Sequence, residues 1–140
     1  MNQVQLAELL ARRAHNGQLE PHTGDPYILH VERVAGYVAH ESEIVQAVAW
    51  LHDVLEDTAL TLPEMMREGV SEDVLTGVLT LTCNKGEVYK AYIARVKSGG
   101  SVVITVKLAD LEDHLRPSSY LPESLRKRYE TALAHLGNKA

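Results

Sequence analysis

Apolar residues recur at helical spacing along almost the whole chain, and this pattern constrains the fold more than any other feature. Leu9 and Leu10 follow Leu6 by three and four positions, and the same spacing returns in the later apolar segments. The β-branched stretch Val102–Val106 favours a strand by composition alone. Because no second strand is predicted to pair with it and an isolated strand is unstable, we expect a buried helix over 101–115. The sequence therefore predicts an all-α protein of seven to eight helices around one core.

Several helix boundaries can be predicted from capping residues. Asp25 is expected to cap the second helix, with Pro26 in its first turn, where a missing N–H costs nothing. The third helix is expected to begin at Ser42 and to extend through Leu55. Thr61 and the glutamate three positions later form a capping box that opens a shorter helix.

Composition excludes several classes of protein. The 140 residues carry 14 Lys and Arg against 19 Asp and Glu, a formal charge of −5, whereas proteins that hold polymeric nucleic acid present a basic face. No apolar run approaches the roughly 20 residues needed to span a bilayer, and Met1–Gln5 does not resemble a signal peptide. The single Cys83 excludes an internal disulfide and a Cys-rich metal site.

We therefore expect one cytoplasmic domain over residues 1–140, with neither a membrane nor polymeric nucleic acid as a partner. The oligomeric state stays open, a homo-oligomer included.

The strongest chemical signal lies at the end of the third predicted helix. An apolar run is followed by two ionisable pairs, His52-Asp53 and Glu56-Asp57. Since residues three and four apart lie on one helical face, the four groups share one stripe. Three carboxylates beside an apolar helix repel one another and lose hydration, and a bound cation removes that cost. This predicts a metal site with neighbouring carboxylates that handle water; the alternative is an ordinary polar helix end.

Two further residues favour the metal site. His30 lies among apolar residues of the second predicted helix, and Asp110 lies at the end of the buried helix over 101–115. Together with His52 and Asp53 they form a mixed nitrogen and oxygen set, which suits a hard or borderline divalent metal. Ligand type alone does not separate zinc, manganese, iron, cobalt and magnesium.

Several motifs occur in the order known from one enzyme family. They lie at 14–18, 24–30, 51–58, 78–82 and 106–110. In this order they resemble the HD superfamily of metal-dependent phosphohydrolases, and most closely the hydrolase domain of the RelA/SpoT-type alarmone enzymes and the small alarmone hydrolases. A His-Asp pair alone is weak evidence, whereas the extended patterns around Glu56-Asp57 and at 107–110 are specific.

The resemblance implies a helical bundle of the HD-domain type and an enzyme that removes pyrophosphate from the 3′ position of guanosine-3′,5′-bis(diphosphate), ppGpp. It implies that Glu56 and Asp57 orient and deprotonate the attacking water. It also implies one divalent metal ion, usually manganese, and a nucleotide as the small-molecule partner. The implied metal ligands are His30, His52, Asp53 and Asp110.

Positive charge for a substrate is expected from two places. Arg126 and Tyr129 share one face of the last helix, and family members hold the nucleotide with a basic residue and a tyrosine from this region. The alternative is a solvated basic face beside a core tyrosine. Lys107 either approaches substrate phosphate or extends from an apolar helix into solvent.

Two departures from the family pattern concern the substrate. The loop at 19–23 lacks the Arg or Lys of the family, and residues 111–114 replace a pattern that ends in His and Asn. Glu112 and Asp113 beside the pocket are expected to repel a tetraphosphate nucleotide, and His114 is expected at the surface. The alternatives to ppGpp hydrolysis are therefore a nucleoside monophosphate phosphatase of the HD type and a catalytically silent nucleotide-binding sensor domain.

Overall fold

A computed structural model describes residues 1–137 of the chain. Within this range eight α-helices have seven or more residues, and a further one, α4, is a single turn, so the predicted all-α class is confirmed. The described residues form no β-strand, only an isolated bridge between Leu19 and Pro26 and a 3₁₀ turn at Pro117–Ser119. The helices are α1 (Gln3–Ala14), α2 (Ile28–Tyr37), α3 (Glu43–Leu51), α4 (Val54–Asp57), α5 (Leu62–Glu68), α6 (Glu72–Thr80), α7 (Tyr89–Ser98), α8 (Ser101–His114) and α9 (Glu123–Gly137).

α3 lies at the centre of the fold because it is apolar on nearly every side. Six of its nine residues, Val45 and 47–51, are buried. α1, α2, α6 and α8 all pack against it. A helix with this pattern is stable only inside a core, so its C-terminal end carries the following residue, His52, into the interior.

The predicted buried helix over 101–115 is confirmed as α8. Val103 and Val106 are buried on the side of the helix that also carries Asp110. α2, α3, α6, α7 and α9 all contact α8. Burial on several sides thus outweighs the strand propensity of its β-branched residues.

The third predicted helix does not extend through Leu55 as one piece. α3 ends at Leu51, and α4 begins at Val54 after a turn at His52 and Asp53. Adjacent residues of a straight α-helix point about 100° apart. The turn allows both side chains to approach Asp110, with His52 Nε2 at 3.2 Å from Asp110 Oδ1.

The second helix begins later than predicted. Tyr27, not Asp25, precedes its first residue, and no side chain caps it. The residues before it form a loop in which the N–H of Tyr27 donates to the carbonyl of Gln18 at 2.8 Å. The carbonyl of Asp25 likewise accepts a hydrogen bond from the N–H of Glu20, at 2.7 Å. The residues predicted to form the first turn of the helix are therefore held in this loop. By contrast, the predicted capping box at Thr61 is present.

Gly77 allows α6 to pack closely against α3. A Cβ atom at Gly77 would lie 2.8 Å from Cγ2 of Val48, which is fully buried and stiff at χ1. We expect Gly77→Ala to lower the free energy of unfolding by about 1–2 kcal/mol, because overpacking costs more than the roughly 1 kcal/mol gained in helix propensity. Denaturant unfolding measures the difference.

The matched control is Gly36→Ala in α2, where an added Cβ would meet nothing within 4 Å. We expect this variant to be more stable by up to about 1 kcal/mol. Equal effects in the two variants would contradict the close approach of α3 and α6.

Among the described residues, no helix combines the length and the apolar character that crossing a bilayer requires.

Candidate active site

The four residues predicted to bind a metal meet where α2, α8 and the turn after α3 converge. One ligand atom from each lies within 4.8 Å of every other. Asp110 Oδ1 is 3.0 Å from His30 Nε2 and 3.2 Å from His52 Nε2. Asp53 Oδ2 is 3.0 Å from His52 Nε2 and accepts a hydrogen bond from the Tyr27 hydroxyl at 2.5 Å. The structure brings the four together, and their role as ligands stays a prediction.

The electrostatics of this cluster suit a cation. Burial acts to raise the pKa of Asp53, yet His52 and His30 lower it well below the usual range. Burial likewise opposes ionisation of Asp110, and Lys107 and His114 lower the pKa of its carboxyl. Two ionised carboxylates beside two imidazoles form a donor set that fits a divalent metal. The structure therefore contains a group of residues able to hold one ion.

The backbone orients one of the imidazoles. His52 Nδ1 lies 2.7 Å from the carbonyl oxygen of Ala49, one turn earlier. Since a carbonyl can only accept, Nδ1 carries the proton and donates it. His52 Nε2 is then left to face Asp53 and Asp110, which is the arrangement that metal-binding histidines use.

Glu56 and Asp57 lie on α4, on the wall of the same cavity. The carboxylate of Glu56 accepts a hydrogen bond from the backbone N–H of Cys83. Burial and the charge of Asp53 raise the pKa of Glu56 and raise that of Asp57 to about 6. A carboxyl group with such a pKa is suited to accept a proton near neutral pH.

A cavity of about 460 Å³ opens in front of the cluster. This volume lies within the range of small-molecule sites. One wall carries Tyr89, Tyr92 and Tyr129, with the ring centroid of Tyr89 at 5.9 Å from that of Tyr92 and 6.1 Å from that of Tyr129. A cavity lined by both aromatic rings and a lysine can receive a ligand that has both a ring and a phosphate.

Lys107 lines this cavity and does not extend into solvent. Its Nζ lies 2.8 Å from Asp110 Oδ2 and 5.1 Å from the ring centroid of Tyr92, and its side chain is 12% exposed. The amine is therefore placed where a substrate phosphate could reach it.

Arg126 is not brought to the cavity. Its guanidinium donates to the carbonyl of Leu115 at 3.4 Å. Leu125, Arg128 and Tyr129 share the side of α9 that lines the cavity, and Arg126 lies beyond its edge. Arg128 takes the predicted place, with its guanidinium carbon 4.3 Å from the ring centroid of Tyr89.

Two residues for which the sequence predicts other roles contact His30 of the cluster. His114, expected at the surface, stacks on the rings of His30 and Tyr129 with centroids at 4.4 and 5.2 Å. Asp113, expected to repel the substrate, is fully buried against His30 and two arginines. The signal that could have found both is their spacing of three and four residues from Asp110.

The chain is similar to known proteins in both sequence and fold. No protein-family model matches the chain. The chain is 34% identical to guanosine-3′,5′-bis(diphosphate) 3′-pyrophosphohydrolase of Haemophilus influenzae, in an alignment 133 positions long that covers 86% of the chain. It is 33% identical to bifunctional (p)ppGpp synthase/hydrolase SpoT of Escherichia coli, in an alignment 142 positions long that covers 91% of the chain. The chain is thus similar in sequence to the RelA/SpoT-type enzymes over most of its length.

The resemblance predicted from the sequence is thus confirmed. The chain spans 19% and 20% of these two RelA/SpoT-type relatives, about a fifth of their length. Its fold is similar to that of a solved metazoan orthologue of SpoT, with a TM-score of 0.80 and 22% identity over 97% of this chain and 85% of the other. The likeness of the two structures agrees with the all-helical class.

Proposed function

We propose that the chain is a metal-dependent phosphohydrolase that removes pyrophosphate from the 3′ position of ppGpp. The observation that carries the proposal is the meeting of two histidines and two aspartates beside a further pair of carboxylates. The name of the Haemophilus influenzae relative supports the choice of substrate. We propose further that residues 1–140 act as a single domain in the cytoplasm, as the sequence predicts.

In this proposal one divalent ion, manganese as the resemblance implies, is held by the four residues of the cluster. When bound, such an ion lowers the pKa of water and neutralises charge that develops on phosphoryl oxygens. The ligands are His30, His52, Asp53 and Asp110.

The chain itself supplies the groups that move the proton. Water attacks the 3′-linked phosphorus, the bond from this phosphorus to the 3′ oxygen breaks, and GDP and pyrophosphate leave. Glu56 and Asp57 orient the water and accept its proton. The N–H of Cys83 keeps one oxygen of Glu56 in place, which limits the positions that this carboxylate can adopt.

The cavity walls would bind the nucleotide. We assign Lys107 and Tyr129 to this role, as the sequence predicts, and Arg128 in the place of Arg126. Lys107 lies beside the cluster and can contact phosphate, whereas Tyr129 and Tyr89 offer ring faces.

A nucleoside monophosphate phosphatase is the second candidate, and the charges of the cavity favour it. Three Lys and Arg side chains line the cavity among the described residues. Lys107 is paired with Asp110, and Arg116 is paired with Asp113 and Glu20, so two of the three are already neutralised. A substrate with fewer phosphates needs less positive charge.

A substrate panel with manganese present tests the proposal. We expect release of pyrophosphate from ppGpp. Phosphate release from nucleoside monophosphates without activity on ppGpp would overturn this choice of substrate in favour of the second candidate. Binding of ppGpp without any product over hours would contradict hydrolysis and support a silent sensor domain.

A further inference from the structure

Asp113 is a buried carboxylate that lies behind the metal cluster. Its Oδ2 lies 2.6 Å from His30 Nδ1, and its side chain is entirely shielded from solvent. Arg33 Nε donates to Oδ1 at 2.7 Å, and Arg116 Nη1 donates to Oδ2 at 3.1 Å. The carboxylate therefore has a donor on every side, and one of these donors is a predicted metal ligand.

The contact decides which nitrogen of His30 carries the proton. An ionised carboxylate can only accept, so Nδ1 of His30 donates to Asp113. Nε2 lies on the opposite side of the ring, 3.0 Å from Asp110 Oδ1 and 3.6 Å from Asp53 Oδ2, where a bound metal ion would take the place of its proton. This is the tautomer in which an imidazole can bind a metal.

We propose that Asp113 is a positioning residue, which fixes the tautomer and the ring orientation of His30 so that Nε2 faces the metal cluster. The inference rests on the metal site of the proposed function. Asp113 lies in the stretch 111–114, which departs from the family pattern, so the resemblance assigns no role to this residue.

Two arginines make this arrangement stable. A buried carboxylate is costly unless it is paired and hydrogen-bonded. Arg33 and Arg116 supply two positive charges, and each also reaches Glu20, at 3.2 and 3.3 Å. Two carboxylates and two guanidinium groups thus balance, which keeps Asp113 ionised and immobile behind His30.

Manganese affinity measures the effect of Asp113. We expect Asp113→Asn to bind Mn²⁺ about 10–100-fold more weakly than the wild type in isothermal titration with the metal alone. At saturating manganese, kcat should return to within a few-fold of the wild-type value, because His30 and the other ligands are retained. The matched control is Asp73→Asn, at an exposed aspartate of α6, which should leave the affinity unchanged.

A measurement on the wild type covers the case in which Asp113→Asn does not fold. In zinc-loaded protein labelled with ¹⁵N-histidine, long-range ¹H–¹⁵N spectra report the tautomer of each ring. Signals of His30 are assigned by their loss in His30→Asn. We expect His30 to be protonated at Nδ1 and this proton to be shifted far downfield by the hydrogen bond to Asp113; zinc at Nε2 alone fixes the site of the proton but not this shift.

Equal manganese affinity of Asp113→Asn and the wild type would overturn the inference, and so would a His30 ring protonated at Nε2 in the loaded wild type. A wild-type protein that binds no divalent metal would overturn both this inference and the proposed function. Metal binding without hydrolysis of any nucleotide would overturn the proposed activity alone, because the affinity comparison would still decide the role of Asp113.

Discussion

Asp53→Ala is expected to abolish both manganese binding and hydrolysis. Asp53 contacts His52 in the turn after α3, His30 in α2 and Tyr27 just before α2. It therefore links this turn to the start of α2. Its removal leaves one carboxylate and two neutral imidazoles, which attract a divalent cation far less strongly. Loss of several kcal/mol of charge stabilisation lowers the rate at least about a thousandfold. Metal analysis and rates of pyrophosphate release measure the two effects.

Asp73→Ala is the control for this variant, since Asp73 is exposed in the first turn of α6. It should keep both the metal and the activity. Circular dichroism separates loss of the site from loss of the fold. Hydrolysis by metal-free Asp53→Ala protein would rule out the proposed mechanism.

Glu56→Gln is expected to keep the metal and to lose most of the activity. The amide has the shape of the carboxylate, and its oxygen can still accept the N–H of Cys83, but it cannot take a proton from water. Glu56 does not belong to the four-residue group whose ligand atoms converge. We expect kcat to fall by about 10²–10⁴-fold, the range for a lost general base. Steady-state kinetics at saturating manganese give this value.

Glu68→Gln, at an exposed glutamate of α5, should leave kcat unchanged. If Glu56→Gln lost the metal instead, Glu56 would be a ligand and not a proton acceptor. An unchanged kcat in Glu56→Gln would exclude it from the chemistry altogether.

The all-helical class could be predicted because hydrophobic spacing is a local property. Even the β-branched start of α8 was correctly interpreted, since a strand needs a partner and the sequence offers none. The proximity of His30 and Asp110 to His52 was also predictable. Each is a polar residue in an apolar helix, and polar groups inside a core must find one another.

The break between α3 and α4 could not be predicted from the sequence. Apolar residues keep helical spacing on both sides of His52 and Asp53, so no local signal ends the helix. At this break the side chains of His52 and Asp53 both lie close to Asp110 on α8, which is far away in the sequence. This proximity depends on how α3 packs against α8, which the sequence alone does not show.

Charge sign alone was misleading at Asp113. The sequence places Asp113 after Glu112, and two adjacent acids suggest repulsion of a phosphate. In the fold, Asp113 is turned inwards towards Arg33, which lies 80 positions away, while Glu112 is exposed. That Arg128 lines the cavity and Arg126 does not could not be predicted either, because the side of α9 that lines the cavity depends on how α9 packs against α8.

The sharing of Arg33 and Arg116 between Glu20 and Asp113 has a consequence for protein engineering. Grafting a basic RelA/SpoT-type loop over 19–23 onto this chain would remove Glu20 and bring positive charge close to the two guanidinium groups that Glu20 pairs with. The graft would therefore change the cavity lining and also disturb Asp113, which contacts His30 on the side away from the cluster. Loop exchange between relatives should succeed only when positions 33, 113 and 116 are exchanged with it, so these positions form one transferable unit.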